Sequence, residues 1–164
     1  MNAVLSPCGA YRYRLERSVS LLGDTAAVVM VNPSTADAHV DDPTIRRVIG
    51  FAKRLQWARI LVGNVFAFRA TEVRDLAYAA DPHGPENSAY LEAILEEADL
   101  ALFAWGPVAK LPKHLRESWR SVWDASLKVG LPVRCLGTAK DGHPRHPLML
   151  SYSARLVSWV PPSE

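Results

Sequence analysis

Four short stretches hold most of the residues whose types and spacing could do chemistry. The first is Asn32-Pro33-Ser34-Thr35-Ala36-Asp37, directly after the apolar run Ala26 to Val31. An Asn there can cap the turn with its own side chain or hold a water or a polar ligand edge. Ser34, Thr35 and Asp37 complete a polar turn. The second stretch, Asn64 to Thr71, sets Asn64 and Arg69 around Phe66 and Phe68. Such a group can build a stacking wall beside an anion partner, or the rings can be core. The third is Trp105-Gly106-Pro107. The fourth, Gly137 to Leu148, packs His143, His146, Lys140 and Arg145 among turn formers and reads as a basic loop suited to anions. Arg46 and Arg47, near a helix start, sit against the macrodipole and can serve a phosphate there.

Metal chemistry is the competing use of these residues. Asp37, Asp41 and Asp42 with His143 could form an oxygen-rich or mixed site. No Cys partner and no His-Glu-x-x-His helix supports zinc. The expectation is that no metal or other cofactor is used.

Strands and helices must position these stretches. Ala26 to Val31 and Arg59 to Val65 are β-branched runs without polar alternation, as in strands buried on both faces. Leu100 to Ala104 and Leu131 to Leu136 repeat the pattern. Between them lie helical stripes. Ile45, Val48, Ile49, Ala52 and Leu55 follow an Asp42-Pro43 start; Leu91, Ile94, Leu95 and Ala98 form a second stripe; a third helix lies near residues 112–127. Residues 11–22 alternate as an edge strand or hairpin arm, and residues 154–160 hold a last short strand or helix. Strand–helix alternation predicts right-handed parallel βαβ units. The expected fold is a three-layer α/β/α sandwich with a small, mainly parallel central sheet, near residues 26–31, 59–65, 100–104 and 132–136. Ligands in such sheets bind beyond the carboxyl ends of the strands, where all four stretches fall.

Length and composition agree. The 164 residues amount to one domain, 1–164, with residues 1–10 as a loose N-terminal extension. Hydrophobic residues at 49% and charged residues at 22% exclude a disordered or coiled-coil chain. A net charge of +2 excludes nucleic-acid binding by bulk charge alone. Cys8 and Cys135 form no framework, and no apolar run reaches the roughly 20 residues a bilayer requires. The reading is a cytoplasmic protein without a membrane segment.

Taken together, Asn32 to Asp37, Asp42-Pro43-Thr44 with Arg46, Asn64 to Thr71, Ala104-Trp105-Gly106 and Gly142 to Leu148 resemble a bacterial and phage family, domain of unknown function 1643. That resemblance supplies no activity. In layout the chain also resembles the uracil-DNA glycosylase superfamily, especially its mismatch-specific branch. Asn32-Pro33 is similar to an Asn-Pro-Gly turn whose Asn positions the attacking water, with Ser34 in place of Gly. Gly63-Asn64, Arg69-Ala70-Thr71 and Asp75-Leu76 are similar to later motifs of that branch. His146-Pro147-Leu148 is similar to a His-Pro-Ser loop without its Ser, and Leu148 is a candidate wedge.

The resemblance implies water attack at a glycosidic carbon, with Asn32 orienting the water and His146 stabilising the departing base. Ser34, Thr35, Asp37, Asn64, Phe66, Arg69 and Trp105 would contact the substrate. Arg46, Arg47, Lys140, His143 and Arg145 would meet phosphate or nucleic acid. The alternatives are a non-catalytic nucleotide or nucleic-acid binding module and a metal-dependent Asp/His hydrolase.

Overall fold

The computed structural model describes residues 2–163. The chain is an α/β domain built on one seven-stranded mixed sheet. Its strands are β1 (Asn2–Leu5), β2 (Arg12–Ser18), β3 (Thr25–Met30), β4 (Arg59–Asn64), β5 (Leu100–Phe103), β6 (Val133–Cys135) and β7 (Val157–Ser158). Its helices are α1 (Pro43–Arg54), α2 (Asn87–Glu97) and α3 (Trp119–Val129). The strand order is β1-β2-β4-β3-β5-β6-β7.

The four buried runs form the four central strands. β3 pairs in parallel with β4 and β5, and β5 pairs in parallel with β6. The sheet as a whole is not mainly parallel, which corrects the expectation. β1–β2, β2–β4 and β6–β7 are antiparallel. A parallel neighbour needs a long crossover, usually a helix. No α-helix precedes Pro43 or follows Val129 among the described residues, and the strands at the chain ends extend the sheet antiparallel. Asn2–Leu5, expected in a loose extension, is instead an edge strand paired with β2.

Helices cover both faces. Asp42 caps α1 by accepting the Ile45 N–H at 2.9 Å, and Pro43 opens the helix as its Asp-Pro start predicts. Ile45, Val48 and Phe51 then pack with Ala26, Val28 and Met30. Leu91, Ile94 and Leu95 of α2 and Trp119 and Val122 of α3 pack with Ala27 and Val29 on the other face. The third helix begins at Trp119 rather than near residue 112. Two short 3-10 turns, Val108–Lys110 and Lys113–Leu115, fill the space before it.

One irregularity in β2 bears on the site. Asn2, Ala3 and Val4 face Glu16, Leu15 and Arg14 in turn, but Leu5 faces Arg12, so Tyr13 is an extra residue on β2. Such a bulge breaks the period-two alternation and re-aims side chains. Leu15 packs with the α1 residues, whereas Tyr13 stacks on Tyr90 of α2 at 5.1 Å between ring centroids. Arg12, three residues before Leu15, thereby reaches the Leu15 side and donates from Nη1 to the Ala36 carbonyl at 2.9 Å.

Candidate functional site

A cleft of about 390 Å³ opens at the carboxyl ends of β3 and β5 and at the start of α1. Asn32, Ser34, Thr35, Trp105 and His146, singled out in the sequence, all line it. Arg12, Asp42, Thr44, Thr71, Lys110 and Leu148 line it as well. Five segments widely separated in the chain, at Arg12, 30–45, 70–73, 105–111 and 146–148, therefore meet where the strand-end rule places a ligand.

Asn32 follows β3 and is oriented by two carbonyls. Its Nδ2 donates to Ala70 O at 2.7 Å and to Pro33 O at 3.2 Å. Carbonyls only accept, so the amide nitrogen must face them, and Oδ1 is left as an acceptor without a partner among the described residues. Arg69 braces the same turn from behind, with Nε donating to Ser34 O and Nη1 to Gly9 O, each at 3.3 Å. Arg69 does not line the cleft.

His146 stands at the start of a 3-10 turn, Pro147–Met149. Its Nδ1 accepts the Leu148 N–H at 3.3 Å. A backbone N–H can only donate, so the neutral ring carries its proton on Nε2. Burial pushes the His146 pKa down, the positive charge of Lys110 adds to this, and Asp42 opposes it. At neutral pH the ring is therefore a neutral hydrogen-bond donor. Gly106 lets its loop come close: φ is +82°, and a Cβ there would sit 3.4 Å from the His146 Cβ. The Gly106 N–H also donates to Pro144 O at 2.9 Å.

Trp105 is the wall of the cleft and is itself buried. Its indole N–H donates to His143 Nδ1 at 3.3 Å. His143 is 4% exposed, and its ring lies 5.1 Å from Trp119 and 6.2 Å from Trp159. Burial lowers its pKa, so it too is neutral. Enclosed among indoles, it faces the core and not a phosphate. Its role is to hold Trp105 from behind.

Other expected site residues lie elsewhere. Asn64 is 1% exposed and Phe66 is fully buried in the core with Leu61 and Leu76. Neither lines the cleft, and a core ring offers no face to a ligand. Asn87 sits inside α2 and donates to the Asn64 and Val65 carbonyls. Arg46 donates to the Asp41 carbonyl, and Arg47 lies over the Tyr152 ring at 4.6 Å. Lys140 and Arg145 are exposed on their loop. None of the five residues expected to meet phosphate, Arg46, Arg47, Lys140, His143 and Arg145, lines the cleft.

Asp37, Asp41 and Asp42 each hold structure. Asp37 accepts the His39 and Val40 N–H groups, which lower its pKa. Asp41 pairs with buried Arg17 at 2.8 Å. Asp42 caps α1 through Oδ1, and its Oδ2 accepts the Ala36 N–H. These carboxylates do not converge on His143.

A family model described as "Protein of unknown function (DUF1643)" matches residues 12–148. The chain belongs to that family. No curated protein and no solved structure matches it. The matched segment runs from Arg12 to Leu148, so every residue lining the cleft lies within the part shared with the family.

Reasoning from the sequence missed Arg12, Thr44, Lys110 and Thr71 as cleft residues. Thr44 and Thr71 fall inside stretches already marked as strand ends or helix starts, a usable signal. Arg12 carries none, because the bulge at Tyr13 decides which side of the sheet it meets. Lys110 lies in a short turn that no periodicity announces.

Proposed function

We propose that the chain binds a nucleobase- or nucleoside-type ligand in the Asn32–His146 cleft and hydrolyses its N-glycosidic bond, within a three-layer layout of the uracil-DNA-glycosylase kind. The observation that carries this reading is the pairing, in one cleft, of a free amide acceptor on Asn32 with a neutral histidine whose proton is on Nε2. A volume of about 390 Å³ suits one such ligand, since small-molecule pockets run from ~300 to 1,000 Å³. Trp105 offers an apolar wall for a planar ring.

In this mechanism Asn32 Oδ1 accepts a hydrogen bond from a water and aims its oxygen at the sugar C1′. The water oxygen bonds to C1′, and the C1′–N bond breaks with its electron pair leaving on the base. The water's surplus proton passes to solvent. Asn32 does not titrate and only positions the water. The departing base carries that pair as negative charge on the freed ring nitrogen and, by resonance, on its exocyclic carbonyl oxygen. His146 Nε2–H donates a hydrogen bond to it, as preorganised electrostatic stabilisation requires. The lowered His146 pKa suits this role, because the proton is shared and not lost.

The test is base release from free nucleosides and from uracil-, hypoxanthine- and mismatch-containing DNAs, followed by chromatography, beside calorimetric titration with the same nucleosides. Release that His146→Ala and Asn32→Ala each suppress supports the reading. Binding without release from any substrate would leave a binding module in its place, and absence of both would overturn the assignment.

A further inference from the structure

We infer that the inner end of this cleft is a phosphate subsite centred on Arg12, so that the ligand is a phosphorylated nucleoside and not the bare base or nucleoside. This deepens the reading of the cleft as a nucleobase-type site and rests on it.

Arg12 is 1% exposed yet lines the cleft. A charged guanidinium so far from water requires compensation. Arg12 receives little within the chain. Nη1 donates to the Ala36 carbonyl, while the buried Nε has no hydrogen-bond partner among the described residues. Arg12 forms no ion pair among the described residues. The contrast with Arg17, two turns of the pleat further along β2, is direct. Arg17 is equally buried but is held by the Asp41 carboxylate at 2.8 Å and by the Asp37 and Glu16 carbonyls.

Asp42, the one carboxylate lining the cleft, favours the Arg12 charge from a distance, but it forms no ion pair with Arg12 among the described residues, and both its oxygens already accept backbone N–H groups. Arg17 and Arg69 add positive charge nearby. Exposed Lys110 also lines the cleft, with no ion pair among the described residues. Hydroxyls of Ser34, Thr35 and Thr44 stand in the same lining. A guanidinium, an ammonium and several hydroxyl donors are the donor set that binds phosphate oxygens. The bulge at Tyr13 gives this arrangement its cause: without the extra residue Arg12 would face the α2 side.

The experiment is calorimetric titration of the full chain with a nucleoside, its 5′-monophosphate and inorganic phosphate, repeated for Lys110→Ala and Arg12→Gln. Circular dichroism checks each fold. The monophosphate should bind at least tenfold tighter than the nucleoside and should weaken as salt rises. Arg12→Gln should remove about tenfold of that affinity and Lys110→Ala several-fold, each a larger loss than the same variant shows for the nucleoside. If Arg12→Gln does not fold, exposed Lys110 decides the matter.

A monophosphate that binds no tighter than the nucleoside overturns the phosphate subsite and leaves the base reading standing. Affinity indifferent to every folded variant does the same. Inorganic phosphate that binds as tightly as the monophosphate, and is lost in the variants, supports the subsite but removes the base. No binding by any probe overturns both.

Discussion

Two histidines three residues apart in one loop meet opposite surroundings. His146 borders an open cleft beside Lys110 and Asp42, while His143 is closed in by Trp105, Trp119 and Trp159. Both are neutral, both use Nδ1 as an acceptor, and both have lowered pKa values with burial as the leading cause. The partner of Nδ1 separates their roles. The His143 partner is an indole in the core, so the bond ties wall to scaffold. The His146 partner is its own turn's backbone, so the ring is fixed while Nε2 remains available to a ligand. Trp105 belongs to both regions, as the wall of the cleft and as the donor to His143.

Substitution on the cage side should damage stability, and substitution on the cleft side should damage function. The largest effect is expected for Trp119→Ala, which removes a buried ring packed on Trp105, Trp159 and His143. Loss of such a ring destabilises by about 3–5 kcal/mol, read from urea unfolding. A loss under 1 kcal/mol would mean that the tryptophan cluster is not a structural unit.

Next comes His146→Ala. Turnover should fall by about 10²–10³, the effect of removing one oxyanion-type donor, while the unfolding midpoint hardly moves. Equal damage to stability and turnover would erase the distinction between the two histidines.

Gly106→Ala tests the junction between the regions. Its φ of +82° strains any residue with a Cβ, and that Cβ would lie in ordinary contact with the His146 Cβ at 3.4 Å. A loss of roughly 1–2 kcal/mol is expected, together with weaker ligand binding. Unaltered binding would show that the His146 loop does not need its present approach.

The smallest effect is the pH dependence. Each histidine binds its proton less readily folded than unfolded. The unfolded chain therefore takes up more protons once pH falls below about 6.5, and stability must fall with it. Thermal melts should be flat above neutrality and decline on the acid side. His143→Phe should reduce that decline, since protonating Nδ1 would break the bond from Trp105. An acid decline identical in this variant would remove His143 from the account.

Much of this could be read along the chain, because the signals are local. Unalternated runs marked β3, β4, β5 and β6, and the Asp42-Pro43 start marked α1. With the strand-end rule these led to Asn32, Trp105 and His146 in one cleft. Other features depend on contacts between distant segments. Antiparallel β1, β2 and β7 follow from which sheet edges remain open once the helices have made their crossovers. Phe66 and Asn64 sit among strand-end polar residues in sequence but point into packed layers. His143 is basic-loop material by composition and core by position. Arg12 shows the reason most plainly. Period-two alternation assigns a strand residue to a face only while the register is regular, and one extra residue, Tyr13, reverses the assignment. Sequence periodicity determined which segments become strands and helices; long-range pairing alone decided which side chains share the cleft.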